Sequence, residues 1–167
     1  VFGASAIGSA FVIAFQIPNL FRRLLGEGAL TAAIVPVLAD KSVKDGKLAS
    51  FGFLNFVLRK VLPWMVGLTL IAMGAALAFD FALAGKNEAA VLTALCMPYM
   101  PLICVAALFT SAVNLSGRFG LAEIASGVLN LCMIVALGVF GENFASDDMG
   151  KAVWLCLGAL VGGVFQL

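Results

Sequence analysis

Two adjacent arginines stand inside an apolar stretch, in the run Pro18-Asn19-Leu20-Phe21-Arg22-Arg23-Leu24-Leu25-Gly26-Glu27-Gly28. An arginine at mid-bilayer depth costs about 2.5–3.5 kcal/mol on insertion scales, so a pair of them needs a compensating role. Arg23 and Glu27 are four residues apart and, on a continuous helix, share a face and can pair, while Arg22 points about 100° away. A guanidinium left facing a wet cavity would hold a phosphate through two parallel hydrogen bonds. The plainer alternative is that both arginines reach to the membrane surface and only anchor the helix. Pro18-Asn19 also has a plain alternative, an ordinary kink in which Asn19 bonds the carbonyl that the proline frees.

Little else in the chain could do chemistry. Histidine, the commonest general base and metal ligand, is absent. Cys96, Cys104, Cys132 and Cys156 all lie in apolar runs with no CxxC or other ligand spacing, and read as buried free thiols. Neither a nucleophile–base pair nor a Gly-rich phosphate loop nor a metal-ligand cluster is visible, so an enzyme is the least expected class and no cofactor or metal is expected. A net charge of +1 with no basic stripe gives no reason to expect a nucleic-acid partner. Glu27 is the lone candidate for a buried acid. Asn55, Asn114 and Asn130 read as interhelical hydrogen-bond partners, and Gly158-xxx-Gly162 followed by Gly163 matches a close-packing face, a spacing that a Gly-rich helix also produces by composition.

The elements that must carry these residues are set by composition. The chain is 63% hydrophobic and 11% charged, far below the roughly 25% charge of a soluble domain. Val1 to Phe21, Val61 to Phe79, Ala89 to Gly117, Ile124 to Gly141 and Ala152 to Leu167 hold no Asp, Glu, Lys or Arg. Most are close to the ~20 residues a spanning helix needs. They are apolar on every side, which excludes the alternation of a membrane β-barrel, and helices are the other way to satisfy a backbone in lipid. The first run lacks the basic region that precedes a signal-peptide core.

The expected fold class is therefore all-α, a polytopic transmembrane bundle with about five spans, over residues 5–40, 61–84, 89–116, 121–140 and 151–167. The first of these exceeds one crossing and should bend, at Pro18 and at Gly26-Glu27-Gly28, and Pro98 and Pro101 should kink the third. Residues 41–47 read as a polar loop leading into an amphipathic stretch that ends at Arg59-Lys60. Basic residues fall in alternate loops, so the positive-inside rule makes 41–60 and 117–120 cytoplasmic and puts Glu142 to Asp148 outside. Val1 is not a methionine and Leu167 lies in an apolar run, so the chain is expected to be incomplete at both ends.

Several of these stretches resemble one family. The run Phe2-Gly-Ala, then Ala10-Phe-Val-Ile-Ala-Phe15-Gln-Ile-Pro18-Asn19-Leu-Phe-Arg22-Arg23-Leu-Leu-Gly-Glu27-Gly28-Ala29, then Val35-Pro36-Val-Leu, is similar to the second helix of the MurJ/MviN lipid II flippases, within the multidrug/oligosaccharidyl-lipid/polysaccharide exporter superfamily. Pro98-Tyr99, Asn114 with Arg118-Phe119, Leu129-Asn130 and Val161-Gly-Gly-Val-Phe-Gln166 resemble the family too. The resemblance covers essentially the whole chain, as part of the N-terminal lobe of a two-lobe transporter.

It implies alternating-access transport of a polyprenyl-pyrophosphate-linked peptidoglycan precursor across the bacterial inner membrane. It implies lipid II, membrane lipids and the cell-wall synthesis machinery as partners. Carried over by position, Arg22 is similar to a cavity arginine that holds the pyrophosphate, with Arg23, Glu27 and Asn19 beside it. Ser9 stands where the family usually has an acid, so one cavity charge is missing. That departure leaves open an exporter of another polyprenyl-linked or lipidic substrate, or a membrane scaffold of the same fold that no longer transports. The family's proline pair after the Arg-Phe turn is absent too, with Ala122 and Ser126 in that region.

Overall fold

The computed structural model describes residues 6–21, 23, 29–85, 87–115 and 120–167. Its elements are α1 (Ala6–Phe21), α2 (Ala29–Lys44), α3 (Lys47–Ala82), α4 (Glu88–Cys96), α5 (Tyr99–Leu115), α6 (Gly120–Val135), a π-helical stretch (Ala136–Gly141), α7 (Glu142–Phe144) and α8 (Asp148–Phe165). Among the described residues there is no strand. The chain is thus the all-α bundle that its apolar runs require. Among the described residues four stretches are long and apolar enough to cross a membrane: Lys47–Ala82, Glu88–Val113, Ser126–Phe144 and Asp148–Phe165; α1 is apolar but shorter.

The polar loop expected over residues 41–47, and the wider 41–60 loop, are corrected by the structure. Helix α2 runs through Lys44 and α3 begins at Lys47, leaving Asp45 and Gly46 as the connection. Four-residue spacing places Lys44 Nζ 2.9 Å from Asp40 and Lys41 Nζ 3.8 Å from Asp45, which favours helix over loop. Gly46, at φ +85°, makes the reversal that a residue with a Cβ would resist. The amphipathic stretch then joins the second span in one helix of 36 residues, about 54 Å long and well beyond the hydrocarbon thickness. Pro63 lies inside it without ending it. The 117–120 connection falls outside the described residues except for Gly120, which opens α6.

Met97-Pro98 separates α4 from α5, and Pro101 sits in the first turn of α5. A proline has no N–H to continue the ladder, so the α4 ladder runs out at Met97 N–H to the Thr93 carbonyl (3.0 Å), and a tighter bond from Met100 N–H to the Met97 carbonyl (2.9 Å) leads into α5. At the other end, the Asn87 side chain accepts from Ala90 N–H and caps α4, while Asn87 N–H donates to Asp80 Oδ1 at 3.0 Å and ties α4 to the end of α3.

Among the described residues three apolar clusters hold the bundle. Ala10, Ala14, Leu92, Cys96, Ala152 and Cys156 join α1, α4 and α8. Ile34, Leu38, Leu54 and Leu108 join α2, α3 and α5. Tyr99, Ile103 and Cys104 of α5 pack with Phe15, Met65, Leu129 and Leu160 from α1, α3, α6 and α8. Helices α4 and α5 thus form the central post. By contrast α3 buries only Leu54 and Thr69 and turns Trp64, Leu70, Ile71 and Phe79 outward. In water such a surface would be an aggregation liability; in a bilayer it faces solvent of its own kind.

Candidate functional site

Helix α1 is held by one narrow face. Ala10, Ala14 and Pro18 recur every fourth residue and are buried, the first two against Leu92 and Cys96 of α4 and Ala152 and Cys156 of α8. Small side chains let the helix axes approach closely, the main source of association once water is excluded. A ladder of rings fixes the rotation further: Phe11 stacks on Phe15 at 5.7 Å, and Phe15 on Tyr99 of α5 at 5.6 Å. Behind α1, Cys96 Sγ and Cys156 Sγ lie 2.8 Å apart, joining α4 to α8.

With that face committed, the opposite face of α1 turns away from the bundle. It exposes Val12, Ile13, Ile17 and Leu20, and among them Ser9 and Gln16. Arg23, just beyond α1, is exposed as well. Ser9, Gln16 and Arg23 fall at seven-residue intervals, close to two helical turns, and so follow one line along the face. A groove of about 380 Å³ runs there, lined by Ile13, Gln16, Ile17, Asn19, Leu20 and Arg23. Two amides and a guanidinium among branched apolar side chains can hydrogen-bond a polar group and pair with an anion while the flanks stay in lipid.

The residues singled out from sequence separate as follows. Asn19 and Arg23 line the groove, and Ser9 stands on the same exposed face; Ser9 and Asn19 also have partners within the protein. Arg22 and Glu27 lie outside the described residues, and with them the Arg23–Glu27 pairing and the bend at Gly26-Glu27-Gly28. Pro18 is buried in the packing face of α1, not in the groove. Gln16 was not singled out from sequence. Its signal was available: it is an amide in a charge-free run, seven residues from Ser9 on one side and from Arg23 on the other. Among the described residues no group of three His, Cys, Asp or Glu side chains could hold a metal.

A family model described as "Lipid II flippase MurJ" matches residues 1–167. The chain is similar to a probable lipid II flippase MurJ of Buchnera aphidicola, 32% identical over 100% of this chain and 33% of that protein. It is also similar to the lipid II flippase MurJ of Burkholderia cenocepacia, 32% identical over 99% and 33%, and to a probable lipid II flippase MurJ of Vibrio cholerae, 31% identical over 99% and 34%. The chain therefore spans about a third of the length of the curated relatives it matches.

Proposed function

The chain belongs to the lipid II flippase MurJ family, and from that premise we propose that it forms part of a transporter carrying undecaprenyl-pyrophosphate-linked peptidoglycan precursor across the bacterial inner membrane. The reading rests on one observation, the polar line of Ser9, Gln16, Asn19 and Arg23 on the free face of an otherwise apolar helix.

Moving such a lipid breaks no bond. The barrier is electrostatic: a charged headgroup must cross hydrocarbon, where an isolated ion is penalised by tens of kcal/mol on a Born estimate. A protein lowers that barrier by lending fixed donors and cations to the headgroup along the way. Arg22 and Arg23 grip the pyrophosphate, with Arg22 the principal contact, and Glu27 orients an arginine. Gln16 and Asn19 offer amides to the sugar and peptide, and Ser9 keeps the same face of α1 polar beyond the groove without adding a negative charge. The apolar flanks Ile13, Ile17 and Leu20 leave room for the polyprenyl tail in lipid. Alternating access between this bundle and a second lobe then exposes the groove to each side in turn, with bends at Pro18, Pro98 and Pro101 reshaping it. The chain acts as a flippase and not as an enzyme, with its α2–α3 turn in the cytoplasm.

The test is rescue of cell-wall synthesis by the full-length gene in a bacterium depleted of its own lipid II flippase, with Arg22→Ala, Arg23→Ala and Ser9→Asp in parallel. Rescue by the parent and by Ser9→Asp, lost in Arg22→Ala at equal membrane expression, supports the reading. Normal growth with Arg22→Ala at that expression overturns the assignment of the pyrophosphate grip.

A further inference from the structure

A second pocket lies where the α2–α3 turn meets α5, and among the described residues it shares none with the groove on α1. Leu38 and Ser42 of α2 and Lys47, Ser50, Phe51 and Leu54 of α3 enclose about 260 Å³, some nine water volumes at about 30 Å³ each. Its floor is apolar, with Leu38 and Leu54 almost wholly buried. Its rim carries one ammonium and two hydroxyls. The neighbouring cations are already engaged, Lys44 with Asp40 and Lys41 with Asp45. Among the described residues Lys47 has no carboxylate partner.

Two further features say what could enter. From Asp40 to Lys60 there are five basic residues (Lys41, Lys44, Lys47, Arg59, Lys60) against two acidic (Asp40, Asp45), an excess of three positive charges. Beside these lysines Val43 is 87% exposed, Leu48 88% and Phe51 60%. Large apolar side chains left bare among cations belong at the boundary between headgroups and acyl chains, where the stems rest in lipid and the charges stay wet. An occupant must therefore carry negative charge and arrive with an apolar part of its own. A clustered excess of lysine at that depth favours anionic headgroups by about 1 kcal/mol per cation.

We propose that the pocket between the α2–α3 turn and α5 binds the phosphate headgroup of an anionic phospholipid from the leaflet facing this turn, with Lys47 as the cation. The Ser42 and Ser50 hydroxyls donate to the phosphate oxygens, and the start of one acyl chain lies over Phe51 and Leu54. The two ion-paired lysines contribute field but no direct contact. Bound there, the lipid ties α2 to α3 at the membrane surface.

The experiment uses the full-length protein in detergent micelles, with phosphatidylglycerol and phosphatidylethanolamine of matched chains as probes, bound lipid counted by native mass spectrometry and inorganic phosphate as competitor. Phosphatidylglycerol should be retained over phosphatidylethanolamine, and Lys47→Ala should weaken that retention about tenfold. Lys47→Arg should keep most of it, and Lys44→Ala should weaken it less than Lys47→Ala does, through the lost field alone. Equal retention of the two lipids, equal effects of Lys47→Ala and Lys44→Ala, or displacement by equimolar inorganic phosphate would each overturn the proposal, the last by making free phosphate the ligand.

Discussion

Gly158 of α8 lies so close to Ala136 of the π-helical stretch that a Cβ added at Gly158 falls 2.5 Å from the Ala136 Cβ and 3.0 Å from the Cys132 carbonyl oxygen. One turn on, a Cβ at Gly162 would meet Leu129 at 2.8 Å, and one at Gly163 would meet the Tyr99 ring at 2.9 Å. The three glycines therefore form a packing face in contact with α5, α6 and the π-helical stretch, and the association depends on van der Waals contact that only the missing side chains permit. The spacing Gly158-xxx-Gly162 has a structural use here.

Gly158→Val should accordingly destabilise the bundle by about 1–3 kcal/mol, the usual penalty of overpacking. Gly74→Ala, whose Cβ meets nothing within 4 Å, is the control and should be neutral or slightly stabilising. Thermal unfolding of both variants in the same detergent, followed by loss of the monodisperse peak, measures the difference. Equal melting would contradict the close approach.

Tyr99 connects the core to the helix that presents the groove. It is fully buried, stacked on Phe15 of α1 and in contact range of Gly163 of α8. Tyr99→Ala leaves a cavity beneath α1, and a loss of about 3–5 kcal/mol is expected by analogy with other large aromatic truncations. Lipid precursor transport should fall with it. Tyr99→Leu, which refills part of the space, should recover part of both.

Gln16 contributes only an amide to the groove, so Gln16→Leu should leave folding untouched and reduce transport about three- to tenfold, the value of one or two hydrogen bonds. Transport in reconstituted vesicles and melting temperature, measured on the same preparation, separate the two effects. An unchanged rate would remove Gln16 from the polar line.

The Cys96–Cys156 approach makes a chemical prediction. Both thiols are buried and their sulfurs are 2.8 Å apart, whereas Cys104 and Cys132 have no such neighbour among the described residues. A membrane-permeant copper–phenanthroline complex, taking up two electrons as two protons leave, should join Cys96 to Cys156 and leave Cys104 and Cys132 free. Peptide mapping without reductant reads the product. Pairing of Cys104 instead would place α4 and α8 differently.

Single cysteines put at Lys44 and at Asp147 in a cysteine-free background should be labelled from opposite sides of the membrane, Lys44 from the cytoplasm. Labelling of both from one side would invert the reading of the basic turn.

Helical class and the approximate number of crossings could be read from residue order, because the cost of unpaired backbone in lipid acts on each segment separately. Charge-free runs of Ala, Leu, Val and Gly leave no other structure available. The turn at Asp45-Gly46 was harder to read. Lysines and aspartates look like loop composition, and their four-residue pairing along α2 becomes visible only when the helix is built. Likewise the amphipathic residues after Lys47, ending at the charged pair Arg59-Lys60, concealed a single long helix, since that pair was a natural place to separate a surface stretch from a span.

Residue order therefore decided that the chain crosses lipid as helices and that a polar signature lies near the end of the first. It did not decide how each helix is rotated about its axis. That followed from Ala10 and Ala14 meeting Leu92 and Cys156, and from Phe15 stacking on Tyr99, which together turn Gln16, Asn19 and Arg23 to the free face. The same holds for the pocket at Lys47, assembled from residues of α2, α3 and α5. Rotation and assembly depend on which small or flat surface finds a complementary partner across a helix interface, a property of two helices at once that neither segment carries alone.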